Sequence, residues 1–280
     1  MHAAAFRALG LSGADYRALH VREEDLAAFV AKDAAAGGFT GFNVTVPHKT
    51  RILPLLDEVD PQAAQIGAVN TVYRTPRGWG GCNTDAAGFG AAFDVLVGRA
   101  PDALTGPPVT VLGGGGAARA VVAALCRRRW TTAITWVTRD AARVRSTDWP
   151  HPEAARRVRL TEWGHWDPNC AGAVVVQATP VGLVGVNATL PIPVASLGLH
   201  EAHSVFDLVV PAGPQSLFAA ALEAGVDACD GQEMLVGQGF CALERWLGAE
   251  ALAHAKPAVL GAMRGALREN CVPVKPRERP

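Results

Sequence analysis

Several residues in this chain are of types and spacings that could do chemistry. Lys49 closes the run Gly41-Phe42-Asn43-Val44-Thr45-Val46-Pro47-His48-Lys49, and its amine could give and take protons. Gly113 to Gly116 run into Ala117-Ala118-Arg119-Ala120, a turn whose backbone N–H groups could approach a phosphate. Arg139 and Arg143 follow another apolar run, and a guanidinium matches phosphate in a fork.

The lysine depends on what precedes and follows it. Phe42, Val44 and Val46 alternate with Asn43 and Thr45, which is the period of a strand with one apolar face. Pro47 cannot donate to a ladder, so the strand should end there. The same proline suits the opening of a helix from about Thr50 to Leu56. Lys49 would then stand at an electropositive helix N-terminus, which disfavours an ammonium and suits an acid/base. Taken alone, a solvated lysine after a strand is the plainer reading.

The glycines are better framed. Val109 to Leu112 is an apolar strand, and a helix should reach about Arg128. Gly113, Gly115 and Ala118 fit G-x-G-x-x-A in strand–turn–helix context, a dinucleotide-binding pattern. At the end of the next strand, Ala133 to Val137, a site for NAD offers a carboxylate to the ribose. This chain offers Thr138-Arg139 first, then Asp140 and Arg143, which suits a 2′-phosphate provided Asp140 points away.

The remaining elements must hold these groups. Met1–Leu9 reads as a helix closed by Gly10, and Glu23–Ala36 as a second with Leu26, Phe29, Val30 and Ala34 as its buried stripe. Pro61–Ile66 is a short helix. Asn70–Arg74 and Trp79–Asn83 are strands joined by a turn, and Thr84 or Asp85 would cap a helix from about Ala86 to Leu96. A boundary falls at Arg99–Pro108. Beyond it, Ala173–Ala178 and Ser204–Val210 are strands and Gln215–Ala224 is a helix. Trp149–Pro168 reads as irregular, and Leu183–Leu190 as a loop. Helices at Gln232–Leu247 and about Pro257–Arg268 should pack back on the first half. Strand–helix alternation after residue 109 implies a parallel doubly wound sheet.

With 280 residues, 49% of them hydrophobic, the chain can bury a large core and suggests two domains. The net charge is zero, so nothing in the total argues for nucleic acid or an anionic membrane. Basic bias is local, at Arg127, Arg128 and Arg129 and in the tail after Val272, which should be disordered. Cys82, Cys126, Cys170, Cys229, Cys241 and Cys271 show no metal-like spacing, which favours free thiols in a reducing cytoplasm. His151 and His165 lack a second ligand at a useful spacing. No apolar run is long enough to span a bilayer, and no signal segment opens the sequence.

The run Gly41–Lys49 closely resembles the G-x-N-V-T-x-P-x-K signature of the shikimate dehydrogenase family. Later motifs follow in that family's order over nearly the whole chain. Gly67 to Thr71 matches G-A-V-N-T, and Asn83-Thr84-Asp85 with Gly88 matches N-T-D-x-x-G. Thr138 to Arg143 resembles N-R-T-x-x-R, with Thr138 for Asn and Asp140 for Thr. Ala178 to Gly182 is similar to A-T-P-x-G, and Asp230 to Gln238 to D-G-x-x-M-L-x-x-Q.

The resemblance implies an α/β protein: an N-terminal α/β substrate domain over 1–100, then a Rossmann-type doubly wound parallel-sheet domain over 107–230. C-terminal helices over 231–270 would pack back on the first domain, ahead of a disordered tail at 271–280. It implies NADP(H) as cofactor and reduction of 3-dehydroshikimate to shikimate, a cytoplasmic step of chorismate and aromatic amino-acid biosynthesis. Lys49 would be the acid/base, paired with Asp85. Thr45, Asn70, Asp85 and Gln238 would bind substrate, with Asn83 as a further hydrogen-bond partner. Gly113, Gly114, Gly115, Gly116, Ala117, Thr138, Arg139, Arg143, Leu208 and Gly231 would bind the cofactor. The partner expected is this small-molecule substrate, with a homodimer left open.

Two places depart from the pattern. In the family a strand and a Ser-x-Ser-Pro turn precede a helix like Met1-His2-Ala3-Ala4-Ala5-Phe6, and its serines hold the substrate carboxylate. Their absence leads us to expect a true start upstream. The family's D-x-x-Y tyrosine is replaced by Val210. Alternatives are a quinate/shikimate-type enzyme using NAD(P), or a cofactor-binding protein that has lost shikimate turnover.

Overall fold

The computed structural model describes residues 1–33, 37–98, 106–128, 133–145, 156–168, 173–183, 186, 189–191, 194–197, 199 and 204–269. The tail at 271–280, His151, Cys170, Cys271, Ala34, Arg129 and most of the 99–108 boundary lie outside them.

The front half builds a mixed sheet. Helix α1 (His2–Ala8) comes first. A distorted helical stretch follows, made of a 3-10 turn at Glu23–Asp25, α2 (Leu26–Ala28) and a π turn at Phe29–Asp33. Leu26 and Val30 are buried from it, as the stripe requires. Strands β1 (Gly41–Asn43), β2 (Glu58–Val59), β3 (Thr71–Thr75) and β4 (Gly78–Cys82) pair in the order β1-β3-β4-β2. β1–β3 and β3–β4 are antiparallel, and β4–β2 is parallel. Val44, Ile52, Val69, Val72 and Trp79 fill the core beneath them.

Two expectations around Lys49 fail here. The strand stops at Asn43: Val44 N–H still donates to Asn70 O at 2.8 Å, but His48 N–H then donates to Thr45 O at 2.9 Å. That turn throws Val46 outward, leaving it 72% exposed. The helix from Thr50 to Leu56 is replaced by turns and a 3-10 segment at Leu53–Leu55. Pro54 accounts for this, since it has no N–H to give Thr50, and the chain closes 3-10 turns over Leu53–Leu55 instead. Lys49 therefore does not stand at an α-helix N-terminus.

Helix α3 (Pro61–Ile66) is capped by Asp60, whose Oδ1 accepts from Gln62 N–H at 2.9 Å. Helix α4 (Asp85–Leu96) starts where expected, but neither Thr84 nor Asp85 caps it through its side chain. Asn83 Oδ1 accepts from Ala86 N–H instead.

The back half is the parallel sheet. Strands β5 (Val109–Leu112), β6 (Ile134–Thr138), β7 (Val158–Glu162), β8 (Val174–Gln177), β9 (Ser204–Asp207) and β10 (Asp227–Cys229) run parallel in the order β10-β9-β8-β5-β6-β7. Strand order reverses direction between β5 and β8, the switch point where doubly wound folds bind ligands. Helices α5 (Gly116–Cys126), α6 (Ala141–Arg145) and α7 (Leu217–Glu223) connect the strands. β7 lies inside the stretch read as irregular, although Val158-Arg159-Leu160-Thr161 does alternate apolar with polar.

β9 ends at Asp207 rather than Val210, because the carboxylate turns the chain. Its oxygens accept from Val209 N–H and Phe218 N–H, each at 3.1 Å. Burial, with Asp230 nearby, raises this carboxyl from its ordinary 3.8 to about 6, against the opposing pull of those N–H groups. The folded state thus favours the protonated form. Its stabilising contribution is full below pH 3.8 and is lost as pH rises through about 6. Urea midpoints should fall across that interval by the equivalent of about 3 kcal/mol from this group, and Asp207→Asn should flatten the slope.

Helices α8 (Gln232–Leu247), α9 (Ala249–Ala253) and α10 (Lys256–Arg268) return to the front half. Phe6 on α1, Phe240 and Leu243 on α8, and Val259 and Met263 on α10 share one core. α8 crosses α4 at backbone contact, where a Cβ on Gly88 would lie 2.6 Å from Gln238 N. Trp246 Nε1–H donates to Val72 O at 2.9 Å, tying α8 to the sheet.

Candidate active site

Three chain segments far apart in sequence converge beside the switch point. Lys49 comes from the turn after β1, Asn70 and Thr71 from the start of β3, and Thr84 and Asp85 from the entry to α4. Lys49 Nζ donates to Asp85 Oδ2 at 2.6 Å, with the two side chains 16% and 7% exposed. Asp85 Oδ1 accepts from Asn70 Nδ2 at 2.8 Å. Asn70 Oδ1 accepts from Thr84 N–H at 2.7 Å and from Thr71 Oγ1 at 3.1 Å. Gln238 reaches in from α8, its Oε1 lying 3.2 Å from Asn70 Nδ2 and 3.3 Å from Thr84 Oγ1. A carboxylate with both oxygens committed to fixed donors holds the amine in one place, which is what directed proton transfer needs.

The network extends outward through residues not expected from the sequence. Asn43 Nδ2 donates to Asn70 O at 3.2 Å and to Thr71 Oγ1 at 3.0 Å, and Tyr16 OH donates to Asn43 Oδ1 at 2.8 Å. Thr84 and Asn43 sit inside the very motifs that flagged their neighbours, so adjacency was the available signal. Thr45 is exposed beyond β1. Gln238 is in place, but its Nε2 donates to Leu235 O at 3.2 Å within its own helix. Asn83 Nδ2 donates to Ala68 O at 2.9 Å and its Oδ1 accepts from Ala86 N–H, so its side chain shapes the backbone at the entry to α4.

The glycine turn faces this cluster. Gly113 has φ +129°, and a Cβ there would lie 2.8 Å from Ala178 O, so the position admits only glycine. A Cβ on Gly114 would collide with Thr138 Oγ1. Gly115 is exposed, and a Cβ on it would meet nothing within 4 Å. Open space before the first N–H groups of an α-helix, with Ala117 in its first turn, fits a pyrophosphate. Gln177 shapes the far wall by accepting from Thr179 N–H at 2.5 Å and donating to Val181 O at 2.8 Å. A Cβ on Gly231 would collide with Leu208 O, so these two expected cofactor contacts stand side by side.

At the carboxyl edge of β6, Arg139 and Arg143 are exposed. Burial and the nearby Arg143 hold the Arg119 guanidinium below its ordinary value, which puts Arg143 on the Arg119 side. Asp140 is spent on the backbone: its Oδ1 accepts from Arg143 N–H at 2.8 Å. Glu162, at the end of β7, accepts from Ala141 N–H at 2.9 Å and adds a carboxylate here that the sequence did not flag. Among the described residues no group of three or more His, Cys, Asp or Glu side chains could hold a metal ion.

Residues 1–72 match the shikimate dehydrogenase substrate-binding domain. A shikimate dehydrogenase (NADP(+)) of Anaeromyxobacter sp. (strain Fw109-5) is 38% identical over 252 residues, covering 89% of this chain and 85% of that protein. Another from Synechococcus sp. (strain JA-3-3Ab) is 40% identical over 253 residues, covering 89% and 82%. Among solved structures, shikimate 5-dehydrogenase from Thermus thermophilus in complex with NADP(H) and shikimate aligns with a TM-score of 0.75 at 30% identity, over 96% of this chain and 92% of that one. With motifs, fold and whole-length relatives in agreement, the chain belongs to the shikimate dehydrogenase family.

Proposed function

We propose that this protein interconverts 3-dehydroshikimate and shikimate with NADP(H), using Lys49 as acid/base and Asp85 as its anchor. One observation carries the reading: the Lys49–Asp85 pair is largely buried at 2.6 Å, on the side of the cleft that faces the glycine turn. Reducing a ketone to a secondary alcohol needs a hydride and a proton. NADPH supplies the hydride when bound. Lys49 gives its proton to the developing alkoxide, and its positive charge stabilises that oxygen as it forms. Asp85 keeps the ammonium aimed and offers an acceptor to a ring hydroxyl. Asn70, Thr45 and Gln238 supply further hydroxyl partners, and a site built to bond hydroxyls rejects analogues lacking them.

Gly113 to Ala117 receive the pyrophosphate, Leu208 and Gly231 border the nicotinamide, and Thr138, Arg139 and Arg143 receive the 2′-phosphate. Asp140 is turned onto its own backbone, where its Oδ1 accepts from Arg143 N–H. Arg139→Ala should weaken NADPH by about tenfold, consistent with loss of a charge-assisted contact, and NADH far less. Equal losses in a fluorescence titration would remove Arg139 from phosphate reading.

The division into 1–100, 107–230 and 231–270 belongs to the same reading, supported by the match of residues 1–72 to a substrate-binding domain. So do a cytoplasmic location and a homodimer, the latter resolved by sedimentation. No helix among the described residues is long and apolar enough to cross a membrane. A quinate/shikimate-type enzyme is the second reading, favoured by Val210 at the tyrosine position, where it packs against Gly231. The test is a spectrophotometric assay of reduced nicotinamide. 3-Dehydroshikimate is offered forward, and shikimate and quinate in reverse. Turnover of quinate above shikimate selects the second reading, and no turnover of any of them overturns both.

A further inference from the structure

The part of Gly116 in the dinucleotide turn is played by its backbone N–H and does not itself call for glycine. The fingerprint positions are Gly113, Gly115 and Ala118, and Gly116 is the first residue of α5, with no positive φ. Alanine is the better residue there by helix propensity. The constraint comes from across the cleft. A Cβ at 116 would lie 3.1 Å from Lys49 Cβ, 3.3 Å from Lys49 Cδ and 3.4 Å from Ala68 Cβ.

Lys49 has little room to yield. Its carbonyl oxygen accepts from Val69 N–H at 2.8 Å, and its amine is held by Asp85 at 2.6 Å. Asp85 is held in turn by Asn70 at 2.8 Å. A stem fixed at both ends can make space only by moving the amine or by parting the two halves of the cleft.

We propose that Gly116 is a positioning residue for the Lys49 amine: the missing side chain on the cofactor-binding helix sets how closely that amine approaches the dinucleotide. The proposal rests on the reading of Lys49 as acid/base.

The test is a double-mutant cycle of Gly116→Ala and Lys49→Ala, reading kcat and the NADPH dissociation constant. Gly116→Ala alone should lower kcat about tenfold, as a displacement of a few tenths of an ångström would. NADPH affinity should stay within about twofold, because alanine keeps the backbone N–H that faces the phosphate and its Cβ lies against Lys49. In the Lys49→Ala background the added methyl should lower kcat no further, since the amine it would displace is gone even though the Lys49 Cβ it meets remains. An equal loss in both backgrounds, or a matching loss of NADPH affinity, would overturn the proposal by showing that the methyl acts on the phosphate turn. The Lys49 reading fails separately, if Lys49→Ala alone leaves kcat unchanged.

Discussion

Lys49→Ala is expected to lower kcat by about 10²–10⁴-fold while NADPH affinity stays near normal. The lysine stem meets α5 at Gly116, and its amine points to Asp85 and not into the phosphate turn. Truncation also leaves the Asp85 carboxylate, now unpaired, almost fully buried. The melting temperature should therefore fall as well, because breaking a buried pair from one side costs about 3–5 kcal/mol. Lys49→Met leaves Asp85 unpaired in the same way but restores the packing of the stem. It keeps the stem, removes the proton, and should lose kcat to a similar degree. Stopped-flow mixing with preformed enzyme–NADPH reads the chemical step directly, and an unimpaired rate in either variant removes Lys49 from the mechanism.

The second large effect is expected at Gly88. A Cβ there would lie 2.6 Å from Gln238 N and about as close to Met234 O, both backbone atoms of α8 that cannot rotate aside. Gly88→Ala should push α8 away from α4 and cost about 3 kcal/mol, near the upper end of overpacking. For a chain of this length that is a fall of about 5 °C in Tm. The same displacement draws Gln238 away from Asn70 and Thr84, so the KM for substrate should rise while NADPH affinity holds. A calorimetric scan and a substrate titration check the two halves, and an unchanged Tm would mean that the helices do not meet where the structure puts them.

What could be read from the sequence was mostly local. β3 and β4 showed through the Pro76-Arg77-Gly78 turn that joins them, and the glycine turn showed because only glycine survives at Gly113. The pairing of Lys49 with Asp85 was not legible from spacing. They are 36 residues apart and meet only after β3 and β4 pair and α4 starts in register. Motif resemblance bridged that gap. Pro54 was legible and overlooked, which put a helix after Lys49 that its missing N–H forbids. Glu162 escaped because β7 was hidden between runs of Trp and His.

The crossing of α8 over α4 also dictates an order of events at the ribosome. The front sheet receives Trp246 and the front pocket receives Gln238 only after the whole parallel sheet between them has been synthesised. About 150 residues separate the end of α4 from Trp246, or roughly 10–30 s of elongation. For that interval the nascent first half carries an uncovered apolar flank, while the nucleotide-binding half can complete its own sheet without waiting for α8.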